Sequence, residues 1–200
     1  MDRYMKRMKD ETACCAAELE SEVQKKYEMI TRSLIHSGHP VTAMESCTGG
    51  MIASLLTDTE GASGVLKGTF VTYSNEAKIA CGVSEHIIQA YGVYSIQTAE
   101  AMAMAARHAY KADLGVGITG SFGNVDPANA DSIPGEIYTA VSFLDSMRSI
   151  HFVLPLGLER HTYKLLAADR TADLILEVLK DFGITVSDEN STVTDCLEGK

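Results

Sequence analysis

From Ala16 onward, Leu19, Val23, Tyr27, Ile30 and Leu34 recur at steps of four and three. That spacing predicts an amphipathic helix with one buried stripe, and the following "HSGHP" ends it through Gly38 and Pro40. "PVTAME" reads as a short buried strand, followed by a tight turn, "ESCTGG" (45–50), and a helix through "GGMIASLLTD". "GASG" (61–64) breaks the chain, and the β-branched and aromatic residues of "GTFVTYS" (68–74) predict a second strand. Two short helices, "NEAKIACG" and "SEHIIQAYG", each end at a glycine, with Ser84 placed to cap the second. Ser95 is placed to cap an Ala/Met-rich helix, "IQTAEAMAMAARHAYKA", which suits either the core or an interface. "DLGVGITG" (113–120) predicts a third strand, residues 121–134 a long loop of turn-forming residues, and "GEIYTAVSF" and "RSIHFVLPL" a hairpin through "LDSM". A last helix is expected over about 159–182, with Leu166, Leu174, Val178 and Leu179 among its apolar positions.

Alternating strands and helices followed by a late hairpin predict an α/β fold, a three-layer α/β/α domain with a mixed sheet. The expected organisation is one domain over 15–185. A flexible N-terminal extension (1–14) and an acidic, disordered tail (186–200) flank it. In such folds ligands bind beyond the carboxyl ends of the strands. Three loops leave such ends: ESCTGG, "YSNEAK" and "TGSFGN".

The formal net charge of −10 argues against nucleic acid and anionic membranes as partners, since both demand clustered Lys and Arg. An anionic substrate therefore has to be met by a few basic residues near the site. Five scattered cysteines without a C-x-x-C pair argue against a disulfide framework or a structural zinc site. His36 and His39 stand at helical spacing, but a glycine between them and the lack of a carboxylate partner argue against a metal site. No run approaches the apolar length of a membrane span, and the first twenty residues hold no apolar signal core. A cytoplasmic location is the expectation.

ESCTGG offers three nucleophile types side by side, Ser46, Cys47 and Thr48. A strand, a tight turn and a helix would present such a side chain at the sheet rim. Gly49 and Gly50 would admit a ligand close to backbone, and free N–H groups would face a developing oxyanion. The competing reading is that Ser46 or Thr48 only caps the helix. The stretch matches neither the G-x-S-x-G elbow nor a P-loop. No histidine is placed as a base, but Lys78, at the start of a short helix, can serve if a dry pocket strips its proton. Tyr73 stands close by in sequence to relay a proton or orient substrate.

"AMESCTGG", "GASGVLKGTFVTYSNEAKIACGVS", "YGVYS…AEAMA", "DLGVGITG" and "IPGEIYTAV" occur in that order. Together they resemble the C-terminal domain family of the competence/damage-inducible protein CinA, the nicotinamide-nucleotide amidohydrolases, over residues 28–182 or so. The resemblance implies hydrolysis of the carboxamide of nicotinamide mononucleotide to nicotinic acid mononucleotide and ammonia, without metal or organic cofactor. It implies a Ser46–Lys78 dyad assisted by Tyr73. Substrate contacts are expected from Glu45, Thr48, Gly49, Gly50, Ser74, Asn75, Thr119 and Gly120. At the start of the last helix Arg160 matches the family's first basic position and Lys164 replaces an arginine at the second. These two are expected to hold the phosphate, an arginine bidentately and a lysine as a point charge. The partner implied is a small nucleotide substrate, within a homo-oligomer. One block departs from the family: "TGSFGNVDPANAD" keeps Thr119, Gly120 and Gly123, but places Asn124 where the family has proline and lacks its Gly-Gly pair. Phe122 is also bulkier than the family's alanine and would narrow the pocket. Two other readings remain open: a member that holds a nucleotide without turning it over, and an amidase using Cys47 with a lowered thiol pKa.

Overall fold

The computed structural model describes residues 2–129 and 132–186, with side chains from residue 16 onward. Helix α1 (Asp2–Ser37) leads into strand β1 (Val41–Glu45), then α2 (Met51–Thr57), a 3-10 turn at Ala62–Gly64 and β2 (Leu66–Val71). Helices α3 (Asn75–Ala80), α4 (Glu85–Tyr91) and α5 (Ile96–Tyr110) follow. The chain then forms β3 (Leu114–Gly120), the hairpin of β4 (Glu136–Phe143) and β5 (Ser146–Val153), and finally α6 (Arg160–Asp181). The sheet runs β2-β1-β3-β4-β5. β1 pairs in parallel with both β2 and β3, and β4 and β5 are antiparallel to their neighbours. The expected α/β fold with a mixed sheet is what forms.

The two faces are covered differently. On one, Val23, Tyr27, Ile30 and Leu34 of α1 join Ile52 and Leu56 of α2 and Ala168, Ile175 and Leu179 of α6 over the sheet. On the other, α5 buries Thr98, Ala99, Met102, Ala103, Ala105 and Ala106, so this helix is core. Its approach to β3 is unusually close. A Cβ at Gly117 would collide with the Ala99 carbonyl and stand 2.6 Å from the Ala103 nitrogen; one at Gly115 would lie 2.5 Å from the Ala103 carbonyl. The alternating glycines of "DLGVGITG" are therefore a docking groove for a helix of small residues.

Several boundaries differ from those expected. α1 starts at Asp2, so backbone helix runs through the segment expected as an extension. β2 spans Leu66–Val71 rather than reaching Ser74, because Thr72 turns aside to donate its N–H to the Glu45 carbonyl at 2.7 Å. Ser95 does cap α5, accepting from the Thr98 N–H, whereas Ser84 occupies the N-cap position of α4 without a side-chain hydrogen bond. The expected tail beyond Val186 lies outside the described residues.

β1 lies between two parallel neighbours reached by chain running in opposite directions, so the carboxyl ends of β1, β2 and β3 open on one crevice. This is the switch point at which such sheets bind ligands. Among the described residues no helix is long and apolar enough to cross a membrane.

Candidate active site

β1 delivers Ser46 to the rim. The Ser46 N–H continues the sheet by donating to Ile118 O at 3.1 Å, and its carbonyl accepts from Gly49 N at 3.1 Å, closing the turn. Gly49 (φ 61°) and Gly50 (φ 96°) both take left-handed conformations, which only glycine adopts cheaply. Just past the neighbouring strand Thr72 is tied to Glu45, and one short turn later α3 begins, capped by Ser74, whose Oγ accepts from Ala77 N at 3.1 Å. That register brings Lys78 back over the rim. Its Nζ donates to Ser46 Oγ at 3.1 Å and to Thr72 O at 3.0 Å.

Lys78 is only 2% exposed and Ser46 only 7%. Burial drives the Lys78 ammonium from 10.5 down to about 8, against the upward pull of Cys47, Asp126 and Glu76. The lysine thus carries a minor neutral fraction near physiological pH. Cys47 is opposite in character. It packs in the core beside Ser46, and burial, reinforced by Glu45, pushes its thiol up to about 12. A thiolate nucleophile needs the reverse shift.

Ser46 opens on a cavity of about 350 Å³ whose lining also includes Tyr73, Asn75, Gly120, Phe122, Asp126 and Arg160. Its outer wall is formed by residues between Ser121 and Asn129, held by hydrogen bonds that the fold alone brings together. Tyr94 Oη and Asn129 Nδ2 each donate to Asp126 Oδ2 at 2.6 Å, and Asn75 Nδ2 donates to Asn129 Oδ1 at 2.9 Å. The Tyr94 hydroxyl, then the Asn129 amide, hold the Asp126 carboxyl below its usual range. Phe122 is buried and stacks on Tyr163 at 5.2 Å, so it forms the cavity wall and faces away from solvent. Arg160 crosses the mouth: its Nη2 donates to Tyr73 Oη at 2.5 Å, and its guanidinium lies 5.1 Å above the Phe122 ring.

Of the expected site residues, the structure brings Ser46, Tyr73, Ser74, Asn75, Gly120 and Arg160 to one cavity, with Lys78 beneath its floor. The others lie elsewhere. Glu45 is fully buried, and its carboxylate accepts from the N–H groups of Gly50, Ile52 and Ala53 at 2.9–3.1 Å. It closes the N-terminus of α2 from within, so neither Ser46 nor Thr48 caps this helix, and those donors are not free for a substrate. Thr119 is pinned by its hydroxyl to Val93 O at 3.0 Å, below the cavity. Thr48, Gly49, Gly50 and Lys164 border a different cavity behind the turn. Tyr73 is 62% exposed, and its hydroxyl accepts from Arg160. Tyr94, Asp126 and Asn129 were missed from sequence; the one local signal was the turn-forming "DPAN" within the loop.

Among the described residues no group of three or more His, Cys, Asp or Glu is set to hold a metal; His39 Nδ1 instead meets Asp113 Oδ2 at 2.8 Å.

A family model described as the CinA C-terminal domain matches residues 23–179. A CinA-like protein from Syntrophomonas wolfei is 33% identical over 159 residues, covering 78% of this chain and 37% of that protein. A CinA-like protein from Shewanella denitrificans is 35% identical over 154 residues, covering 76% and 36%. The chain thus spans little more than a third of the length of these curated relatives. Among solved structures, a competence/damage inducible protein from Agrobacterium tumefaciens superposes with a TM-score of 0.69 at 28% identity, covering 78% of this chain and 94% of that one. A CinA superfamily protein from Escherichia coli gives 0.72 at 25% identity, covering 78% and 90%. With more than half its length matched, and with the same fold in its structural neighbours, the chain belongs to the CinA C-terminal domain family.

Proposed function

We propose that the protein is an amidohydrolase that converts nicotinamide mononucleotide to nicotinic acid mononucleotide and ammonia through a Ser46–Lys78 dyad. The observation that carries this reading is the buried 3.1 Å contact between Lys78 Nζ and Ser46 Oγ, with the lysine depressed to about 8. Ser46 Oγ attacks the carboxamide carbon while neutral Lys78 takes its proton. The C–N bond then breaks as Lys78 returns that proton to the departing nitrogen, so ammonia leaves and an ester remains on Ser46. Water adds to the ester, giving one proton to Lys78; the ester C–O bond breaks, the proton returns to Ser46, and the acid departs. Arg160, at the cavity mouth, is suited to grip the phosphate, exchanging its Tyr73 contact for phosphate oxygens.

A holding rather than hydrolysing role is favoured by one observation, the cavity wall latched through Asp126 and Asn129 to Asn75. Ammonia release and equilibrium binding of nicotinamide mononucleotide, measured side by side, separate the two. Wild type and Cys47→Ala are expected to release ammonia at rates within about threefold of one another, while Ser46→Ala binds but falls by at least about 1,000-fold. Binding without release by wild type would replace hydrolysis by holding. Loss in Cys47→Ala with activity kept in Ser46→Ala would move the nucleophile to the thiol.

A further inference from the structure

The cavity over Ser46 carries charges of both signs. Arg160 borders it at the mouth, engaged with Tyr73 and the Phe122 ring. Asp126 borders it from the outer wall, together with both side chains that hold its Oδ2, Tyr94 and Asn129. Its Oδ1 accepts from the Ala128 N–H at 2.9 Å. These partners are a phenol, an amide and a peptide group, all neutral, and the Tyr94 hydroxyl first among them keeps the carboxyl ionised. The charge is therefore fixed in place on a half-buried residue, and none of the groups that hold it cancels it.

The positive group whose field reaches this carboxylate is the Lys78 ammonium. A lysine acting as base is neutral, and Asp126 then keeps its charge with that cation gone. In a cavity partly closed to solvent, such a carboxylate favours a ligand that brings a positive charge of its own. The kind of cation follows from the hydrogen bonds already made. A carboxylate offers about four lone-pair sites, and three donors already occupy Asp126. An ammonium, with several N–H groups to satisfy, is poorly served there, whereas a quaternised aromatic ring needs no acceptor. Glu76 borders the same cavity, but it is exposed to water, where its charge is screened.

We propose that Asp126 is a specificity-determining residue of this site, favouring ligands with a quaternised, cationic aromatic ring over the same ring when neutral. The proposal rests on the reading of the ligand as nicotinamide mononucleotide, whose pyridinium carries that charge, and it holds whether the ligand is hydrolysed or only held. The phosphate at Arg160 and the ring at Asp126 then match the two charges of the cavity.

Reduced nicotinamide mononucleotide keeps the phosphate, sugar and carboxamide, but its dihydropyridine ring is neutral. Calorimetric titration of the full chain carrying Ser46→Ala, which stops turnover, with the oxidised and the reduced nucleotide tests the assignment. The oxidised form is expected to bind at least about tenfold more tightly. Adding Asp126→Asn should bring the two affinities within about threefold of one another, through weaker binding of the oxidised form alone. Tyr94→Phe, which loosens the same wall but keeps the carboxylate, and Glu76→Gln should both leave the preference at about tenfold. Equal affinity for the two forms in the Ser46→Ala protein would overturn the proposal, and so would a preference that survives Asp126→Asn or disappears in Glu76→Gln. Equal weakening of both forms by Asp126→Asn would also overturn it, leaving Asp126 only to hold the wall. Each of these results keeps nicotinamide mononucleotide as the ligand, whereas binding of neither form would overturn that reading and the proposal together. Melting curves check folding, and Asp126→Ser, which keeps an acceptor for the Ala128 N–H, carries the test should Asp126→Asn fail to fold.

Discussion

Replacing Lys78 by methionine is expected to lower ammonia release from nicotinamide mononucleotide by at least about 1,000-fold while making the protein more stable at neutral pH. The activity loss follows from removing the base; combined with Ser46→Ala it should cost little more than either change alone, because the two groups act as a unit. The stability gain follows from burial. A lysine 2% exposed and shifted from 10.5 to about 8 costs about 3 kcal/mol at any pH below both values. Between pH 8 and 10.5 the unfolded chain holds this proton and the folded chain does not, so wild-type stability gains from Lys78 as pH rises through that window. Methionine keeps the volume and removes the charge, at a loss of about 1–2 kcal/mol for the contacts of Nζ with Thr72 and Ser46. The net gain at pH 7 is therefore about 1–2 kcal/mol. The advantage of Lys78→Met over wild type should shrink by about 3 kcal/mol between pH 7 and pH 10.5. Denaturant titrations of both proteins across that range measure it. Cys47 and Lys78 act on one another's titration, so both proteins are compared in a Cys47→Ala background, where the difference isolates Lys78. A constant difference would mean that Lys78 keeps an ordinary lysine pKa.

The second large effect is expected in the fold. Gly117→Ala should destabilise the protein by about 3 kcal/mol or more, lowering the melting temperature by about 10 °C, and Gly117→Val should prevent folding. The new Cβ would meet backbone, the Ala99 carbonyl and the Ala103 nitrogen, which cannot rotate away as a side chain can. Gly64→Ala is the control, since nothing lies within 4 Å of a Cβ there, and its melting temperature should stay within about 2 °C of wild type. A Gly117→Ala protein as stable as that control would show that α5 does not rest on β3 through these glycines.

The Ser46–Lys78 contact was legible in the sequence because each half is local: a strand, turn and helix set Ser46, and another set Lys78. Their meeting needed only parallel neighbours, which the alternation of elements already implied. Glu45 was misread for a physical reason. An acid directly before a nucleophile reads as a rim group, yet the N-cap position of α2 is Gly50, which has no side chain to cap with. The buried carboxylate takes that work from five residues upstream. Lys164 was misplaced because i, i+4 spacing suggests one shared helix face. Arg160, the first residue of α6, extends forward to Tyr73, whereas Lys164, one turn further, falls behind Gly49. The loop latch was beyond reach for a different reason: Tyr94 and Asp126 are 32 residues apart, and Asn75 and Asn129 are 54 apart. No periodicity carries such pairs; only the closed sheet rim brings them together.

The most direct test of the Ser46–Lys78 account is the pH dependence of kcat/KM for ammonia release from nicotinamide mononucleotide by the wild-type protein. A base that must be neutral, with a pKa of about 8, predicts a rate that rises tenfold per pH unit below that value and levels off above it. A profile flat from pH 6 to 9, or no ammonia release at any pH, would contradict it.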